Sequence, residues 1–409
     1  MRFGVISRIS LRHLSSRPFQ TFSVISVVAL STALAVVLFL LTQGLRQGLV
    51  RAVEPFDIIV SAKGSPYQLV LNTVFLQDAP VGNILWSDCI DLSDDARVES
   101  AVPMGFGDSY RGFPIVGTTR EILRIRASAS GRPWLRVRDG RWFEGKYEAV
   151  LGAQAASVSG LTIGGKFRTS HGLSDTGDEH DETYEVTGIL SEVMGPYDRA
   201  IFVNIEDIWA MHKTRAGTIK TRIAEEPPMD SREATAVLVQ PVSYSAAYNL
   251  AASYQRDTRM QLVFPAQAAI RLFSIMGRSE NFMSIIVHIV SGFALLVTLL
   301  ALYWSAADRR TERLLLHILG ASRRDLIIIV WLEGTFLIMA GVIVGEILGR
   351  AGVYAIFRLL SDAAAIEAPI SLTLREAAIP ASILAIGSIC SLSVTIIDRH
   401  MGNEPHIGR

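Results

Sequence analysis

The feature that most limits how this chain can fold is an uncharged apolar segment at residues 19–41. A helix rises about 1.5 Å per residue, so a segment of this length crosses the roughly 30 Å hydrocarbon core of a bilayer. A cleavable signal peptide would have a shorter apolar region followed by a small-residue cleavage site. The segment therefore predicts a transmembrane helix that is retained in the protein.

Three further apolar segments of similar length lie late in the chain, at residues 283–304, 326–348 and 377–397. Pro380 lies near the start of the last one, where a proline disturbs a helix least. The chain of 409 residues is 50% hydrophobic, and its mean hydropathy of +0.34 is high for a soluble protein. We therefore expect four transmembrane helices, with a long region between the first and the second.

The placement of arginines orients these four predicted helices. Positive residues cluster before the first segment, between the second and third, and after the fourth, whereas few lie between the third and fourth. Because positively charged loops stay in the cytoplasm, both termini and the loop at 307–325 are predicted to be cytoplasmic. Residues 7–17 form either a short amphipathic helix on the inner membrane surface or a basic flank that only fixes topology. The long region between the first two helices is then extracytoplasmic.

This extracytoplasmic region alternates short apolar strands with small-residue helices, which predicts a mixed α+β domain. Strands from both ends of the region would form one lobe, and an insertion at about residues 141–209 would form a second. Residues 160–167 nearly match a phosphate-binding loop, but Phe167 follows Lys166 where the motif needs serine or threonine. Turn chemistry explains these glycines better. The net charge of zero also argues against nucleic acid as the main partner.

The predicted cytoplasmic loop combines arginines with a Gly-Ala-Ser turn. Helix-forming residues run up to Leu319, after which Gly320 ends the helix and Ser322 is able to cap the next one. A loop that only fixes topology needs no such helix, so the pattern favours a rigid element that docks on a cytoplasmic partner. The arginines are Arg309, Arg310, Arg313, Arg323 and Arg324.

The segment RRTERLLLHILGASRRDLIIIVWLEG resembles the coupling segment of the FtsX-like permeases, the MacB/LolC type of ABC transporter membrane subunit. The shared pattern is an acidic residue, an apolar helix, a Leu-Gly-Ala-Ser turn, basic residues and an apolar span that contains a glutamate. The segments GRWFEGKYEAVLG and YEVTGIL also resemble extracytoplasmic parts of this family. By this resemblance, the residues that couple to the ATPase are Glu312, Arg313, Leu316, Leu319, Gly320, Ala321, Ser322, Arg323 and Arg324.

The resemblance implies an α-helical membrane protein with four transmembrane helices and a large two-lobed MacB-like periplasmic domain between the first and second spans. Two permease copies, identical or related, would work with a dimer of separate ATPase subunits that hold the ATP and magnesium. The chain itself is then not an enzyme. ATP-driven motion of the external domains would export or extract a substrate at the outer face of the bacterial inner membrane, with a periplasmic adaptor or substrate protein as a further partner.

The expected segments follow the order of the four spans. They are a cytoplasmic amphipathic segment (1–18), the first helix (19–48), the periplasmic domain (49–279), the second helix (280–306), the coupling helix and turn (307–325), the third helix (326–350), an extracytoplasmic connection (351–375), the fourth helix (376–398) and a cytoplasmic tail (399–409).

Small residues repeat along one face of the predicted third helix, which allows another helix to approach closely. That partner is either a second copy of the chain or a helix of the same subunit. The repeating residues are Gly334, Gly341, Gly345 and Gly349.

Ionisable residues inside predicted spans are functional candidates by default. For Glu333 the resemblance suggests a role in conformational change, and proton transfer is the alternative. His288 is more simply a partner in an interhelical hydrogen bond. Glu346 and Arg350 are four positions apart and are expected to pair.

A His- and acid-containing loop in the extracytoplasmic region is a candidate metal site. His171 and His180 lie in it, and His212 follows after the next predicted strand. Two histidines with neighbouring carboxylates are able to bind Zn²⁺, but a solvated acidic loop has the same composition.

Two other functions remain open at the level of sequence. One is a regulator that, like FtsX, uses ATP-driven motion to activate an extracytoplasmic hydrolase. The other is lipoprotein extraction, as in LolC. The large external domain favours transport over regulation, since regulators of this type tend to have smaller domains.

Overall fold

The structure is a computed structural model that describes residues 14–127, 131–172, 180–216, 232–272, 322–364 and 380–389, together with isolated positions outside these ranges. It divides into two compact units. The membrane unit contains residues 1–44, 278–358 and 368–409, and the external unit contains residues 45–277 and 359–367.

The helices include both long apolar elements and short ones in the external unit. They are α1 (Pro18–Val53), α2 (Pro66–Thr73), α3 (Trp86–Ser93), α4 (Ala153–Ser159), α5 (Ile205–Ala216), α6 (Tyr244–Tyr254), α7 (Arg323–Ala364) and α8 (Pro380–Ile389).

Two of the described helices, α1 and α7, are long and apolar enough to cross a membrane, and α8 is a shorter apolar helix. α1 contains the predicted first span. α7 starts near the predicted third span but continues past residue 350 to Ala364, because no proline interrupts the chain before Pro369. The predicted second span and much of the fourth lie outside the described residues.

The contacts within the membrane unit define the directions of its helices. Val28 lies beside Gly341 and Val36 lies beside Gly349, so the contact points on α1 and α7 advance together and the two helices run parallel. α8 runs the opposite way along α7. A small buried cluster joins the three helices and includes Val24, Val28, Leu337, Ile338 and Val342, with Ile383 and Leu384 packed against it.

The external unit is built on one large mixed sheet. The described strands are β1 (Ile58–Ala62), β2 (Ile84–Leu85), β3 (Val98–Gly105), β4 (Asp108–Tyr110), β5 (Phe113–Thr118), β6 (Val137–Gly140), β7 (Glu148–Leu151), β8 (Lys166–Phe167), β9 (Ser170–His171), β10 (Tyr184–Leu190), β11 (Ile201–Asn204), β12 (Glu233–Ala234), β13 (Ala236–Pro241) and β14 (Met260–Val263).

The order of the strands shows how the external unit folds. The main path of the sheet is β14-β1-β13-β3-β5-β11-β7-β10-β6. Outside this path, β4 pairs with β5 and β9, and β8 pairs with β10. Strands β2 and β12 form a separate two-stranded sheet. Strands from both ends of the external unit therefore lie side by side, as the sequence predicted. The insertion at about residues 141–209 supplies most strands of the other half of the sheet. This confirms the predicted mixed α+β character.

The two halves that the sequence predicted as lobes share one sheet, because β3 and β5 join them. They pair at Met104 with Thr118 and at Gly105 with Gly117. One face of the sheet carries a single core that runs across both halves and includes Ile59, Val102, Val116, Phe202 and Val150.

The opposite face of the sheet carries two separate cores, and here the two halves are distinct. One core lies over β1 and β13 around Ile58 and Val237, and the other lies over β7 and β11 around Leu151 and Ile201. α5 lies against β5 between them, where a β-carbon on Gly117 would be only 2.2 Å from the Ile208 side chain. The same β-carbon would lie 3.3 Å from Ile205 Cα, so a larger residue than glycine would crowd the helix backbone.

Candidate functional site

The start of α7 carries the cap that the sequence predicted at Ser322. The Ser322 hydroxyl donates to Asp325 Oδ2 at 2.7 Å, and the Asp325 N–H donates back to Ser322 Oγ at 3.2 Å. The Ser322 N–H also donates to the same carboxylate at 3.2 Å. This reciprocal arrangement is a capping box, with a carboxylate in the first turn that also complements the helix dipole. The cap confirms that α7 begins directly after Ser322.

Most of the predicted ATPase-coupling residues lie outside the described part of the chain. They are Glu312, Arg313, Leu316, Leu319, Gly320 and Ala321. Within the coupling segment, Ile318 is described, is helical and has 79% of its surface exposed. Arg323 and Arg324 form the first turn of α7, and the Arg324 side chain is exposed. An exposed aliphatic residue and an exposed arginine in the same segment are the composition expected of a docking surface.

The glycine stripe on α7 packs against α1 of the same chain. A β-carbon on Gly341 would lie 2.5 Å from Val28 Cβ, and one on Gly349 would lie 2.9 Å from Val36 Cβ. Such distances are far below van der Waals contact, so the two helix backbones touch along this line. Of the two alternatives left by the sequence, the structure therefore supports packing within one subunit for these glycines. Gly334 is also buried.

Glu333 lies on α7 next to Gly334 and is only 5% exposed. Its neighbours along the helix, Ile329 and Leu332, form a small buried apolar cluster with Trp331. A buried carboxylate in a membrane helix remains a candidate for conformational change. His288 lies outside the described residues.

The predicted pair near the far end of α7 is present. Arg350 Nε donates to Glu346 Oε1 at 2.7 Å, and both side chains are about one quarter exposed. Because the residues are four apart on one helix, the pair stabilises local helix structure and needs no further role.

The segment GRWFEGKYEAVLG, residues 140–152, forms a turn between β6 and β7 that hydrogen bonds hold in place. Arg141 donates to Glu148 at 2.8 Å, and Glu148 also accepts the backbone N–H groups of Glu144 and Gly145. The hydrogen bond from Arg141 is the main reason why the pKa of Glu148 falls to about 2.

The same turn is tied to the first turn of α5. Tyr147 has a left-handed φ of 59°, and its N–H donates to Asp207 Oδ2 at 2.9 Å. Burial raises the pKa of Asp207 to about 6, since the charged form loses hydration. The segment therefore holds the β6–β7 corner rigidly against a helix.

Two of the three predicted metal ligands come together in the external unit. His171 Nδ1 lies 3.0 Å and His180 Nε2 lies 3.5 Å from Asp108 Oδ1, and the two imidazole rings are 4.3 Å apart between centroids. The side chain of His212 lies outside the description, although its backbone belongs to α5.

Sequence reasoning missed Asp108 as a member of this cluster. It lies 63 positions before His171, so no local spacing links the two residues. The only signal is its position in a short strand directly after Gly107, and many surface turns share that pattern.

Comparisons with known proteins place both parts of the chain in recognised families. Residues 21–277 match the model of the MacB-like periplasmic core domain, and residues 281–404 match the model of the FtsX-like permease C-terminal domain. A solved structure, the extracellular domain of the noncanonic ABC-type transporter YknZ from Gram-positive bacteria, is 19% identical with a TM-score of 0.28. That similarity covers 50% of this chain and 98% of the YknZ domain. None of the curated proteins matches the chain.

Proposed function

The chain belongs to the FtsX-like, MacB-type permeases of ABC transporters, and on that premise we propose that it couples ATP hydrolysis by a separate ATPase to motion of its external domain. The motion would drive export or extraction of a substrate at the outer face of the inner membrane. The observation that carries this proposal is the capped start of α7, which directly follows an arginine-rich segment with an exposed Ile318.

The helix directions support a topology of four spans. α1 and α7 run parallel, so their first residues lie on the same side of a membrane that both cross. The chain must then cross an odd number of times between them, and the apolar segment at 283–304 supplies one crossing. Isolated positions in that segment, such as Ile285, Ile289 and Phe293, are helical and exposed, as side chains that face lipid would be.

The direction of α8 supports the proposal that both termini lie on the same side of the membrane, which the arginine distribution predicts to be the cytoplasm. Trp331 Nε1 donates to Ser388 Oγ at 3.1 Å, whereas Ile338 lies against Gly387 and the cluster around Leu337 contacts Leu384. Residues with higher numbers on α7 contact residues with lower numbers on α8, so the two helices run antiparallel. A span in this direction returns the chain to the side where α1 begins.

α1 supplies a direct mechanical connection to the external domain. It has 36 residues and is about 54 Å long, which exceeds the roughly 30 Å apolar core of a bilayer. It ends at Val53, a few residues before β1, which lies in the sheet between the edge strand β14 and β13. Movement of the cytoplasmic end of α1 or α7 would therefore be transmitted through a continuous helix to the sheet.

In this account the chain hydrolyses no ATP itself. ATP and magnesium bind to the partner ATPase, and a second permease copy, identical or related, completes the assembly. Closure of the ATPase dimer would push the docking segment at 307–325 and, through the tightly packed α1–α7 pair, rearrange the external domain.

Association with the ATPase tests this proposal. The full chain would be co-purified in mild detergent with its cognate ABC ATPase, as wild type and as the Leu316→Glu, Leu319→Glu double variant. We expect the wild type to retain the ATPase and the double variant to lose it, because glutamates cannot enter an apolar groove. The Leu316→Met, Leu319→Met variant keeps apolar volume and is the matched control. If the wild type retains no ATPase, or the glutamate variant binds as well as the methionine variant, the proposal is wrong.

A further inference from the structure

We propose that Asp108, His171 and His180 form a Zn²⁺-binding site in the external unit. Their ligand atoms all lie within 4.8 Å of one another. The site is separate from the proposed ATPase-coupling segment, and the proposal does not depend on the proposed function.

The backbone holds the three ligands in place. β4 and β9 pair antiparallel with Asp108 directly opposite His171, and the Gly172 N–H donates to the Gly107 carbonyl at 2.8 Å. The His180 N–H donates to the Thr169 carbonyl at 2.9 Å, which returns the chain to the start of β9. Backbone hydrogen bonds therefore fix all three positions, so the loss of conformational entropy on metal binding is small.

The distances suit a tetrahedral metal ion. Zn²⁺ binds imidazole nitrogen and carboxylate oxygen at about 2.0–2.2 Å, so adjacent ligand atoms in a tetrahedral site lie about 3.3–3.5 Å apart. The two nitrogen–oxygen separations are 3.0 Å for His171 and 3.5 Å for His180, which bracket this range. A small shift of the ligands would admit the ion at their centre.

Burial and charge also suit a cation at this point. The Asp108 side chain is 1% exposed and the His180 side chain is 10% exposed, whereas His171 is about one third exposed. A buried carboxylate is a favourable ligand for a cation, because a bound metal ion offsets the cost of burying its charge. The partly exposed side leaves a route for the ion and a fourth position for water.

The ligand set selects among metal ions. Two imidazoles and one carboxylate match the His₂-carboxylate sites of zinc proteins, whereas Ca²⁺ and Mg²⁺ prefer six or more oxygen ligands. Bound Zn²⁺ would join β4, β9 and the chain at His180, so the stability of this corner of the sheet would depend on the metal.

Zinc binding by the full chain in detergent is the test. Protein stripped with a chelator would be titrated with Zn²⁺ against a chromophoric competitor, as wild type and as Asp108→Asn, which keeps the shape of the side chain. We expect one high-affinity Zn²⁺ per wild-type chain. Loss of a single outer-shell partner already weakens metal sites by about 10–100-fold, so loss of the carboxylate ligand should weaken binding by at least about tenfold.

Two control variants separate this site from general surface binding. Asp139→Asn removes an exposed carboxylate of β6 in the same unit, and His406→Ala removes a histidine of the predicted tail. Both should bind Zn²⁺ like the wild type. Thermal unfolding in chelator checks that Asp108→Asn folds; Zn²⁺ should then raise the melting temperature of the wild type and leave that of Asp108→Asn unchanged.

A His171→Ala, His180→Ala double variant completes the test, because it removes both imidazoles and should bind no Zn²⁺ above the level of Mg²⁺. The proposal is overturned if the wild type takes up no Zn²⁺ at micromolar concentration. It is equally overturned if Asp108→Asn or the double histidine variant binds Zn²⁺ as tightly as the wild type, since the ion would then lie elsewhere.

Discussion

Gly345 and Ala29 bring two membrane helices into backbone contact: a β-carbon on Gly345 would lie 2.5 Å from the Ala29 carbonyl oxygen. The same β-carbon would lie 2.6 Å from Thr32 Cβ. The backbone of α7 therefore packs directly against α1 at this point. In the proposed mechanism, this contact would carry a push on the start of α7 to α1.

Replacement of Gly345 by alanine should therefore loosen the α1–α7 pair. Overpacking of a close contact typically costs about 1–3 kcal/mol, and here the obstacle is backbone that cannot rotate away. We expect a lower melting temperature of the purified chain in detergent. Gly352→Ala is the matched control on the same helix, because its β-carbon would meet Val37 at an ordinary 3.6 Å. Equal melting temperatures for the two variants would contradict a backbone contact at Gly345.

Replacement of Ser322 by alanine should fray the start of α7. The variant loses the hydroxyl that caps the helix, which typically costs about 1 kcal/mol. Hydrogen–deuterium exchange at residues 324–328 should be faster than in the wild type. Ser322→Asp keeps an oxygen acceptor for the Asp325 N–H and should exchange more slowly than the alanine variant. Identical exchange in all three proteins would mean that the cap contributes nothing.

Asp207 should make the external unit less stable as the pH rises. Its folded pKa of about 6 lies above the ordinary value of 3.8, so the folded state holds a proton that the unfolded state releases. The contribution of Asp207 to stability is then greatest below about pH 4 and falls by roughly 2–3 kcal/mol as the pH rises through 6. Asp207→Asn retains an acceptor for the Tyr147 N–H and should lack this component in thermal unfolding between about pH 4 and 7. If the variant keeps the full wild-type pH dependence, Asp207 is not its source.

Glu148 should have the opposite dependence on pH. Its folded pKa of about 2 lies below the ordinary value of 4.5, so its contribution is complete above about pH 4.5 and is lost as the pH falls toward 2. Arg141 is half exposed, and solvent screening limits the contribution to about 1 kcal/mol. Glu148→Gln should melt earlier than the wild type at pH 7 and approach it in acid. A variant that melts with the wild type at pH 7 would contradict this assignment.

Cysteine labelling tests the four-span topology. Tyr244 is 90% exposed in the external unit, and Ser322 lies in the predicted cytoplasmic loop. A membrane-impermeant maleimide should label Tyr244→Cys in intact spheroplasts, but Ser322→Cys only after permeabilisation. Cys89 is buried, and burial raises its pKa to about 12, so it should stay unlabelled, whereas Cys390 is replaced by serine beforehand. Labelling of both positions without permeabilisation would rule out the topology.

Local patterns predicted local structure well. The cap at Ser322 and the pair of Glu346 with Arg350 depend only on residues three or four positions away, and both are present. The strand pattern of the external region also placed its two ends in one sheet. These features follow from helix and strand periodicity, which sequence displays directly.

Long-range relationships could not be predicted in the same way. The period of Gly341, Gly345 and Gly349 indicates close packing but does not say against what, and only the structure identifies α1. Asp108 meets His171 through the pairing of β4 with β9, which no spacing reveals. The halves of the external unit share one sheet because β3 and β5 pair over two positions, too short a contact to leave a sequence pattern.

The most direct test of the central claim is hydrogen–deuterium exchange of the complex with its ATPase, compared between an ADP state and a state trapped with ATP. If the chain transmits ATP-driven motion, peptides from the last turns of α1 and from β1 should change their exchange between the two states, as should residues 307–325. The Leu316→Glu, Leu319→Glu variant should show no such change. Exchange that differs in the ATPase but is identical throughout the external unit of the wild-type chain would contradict the account.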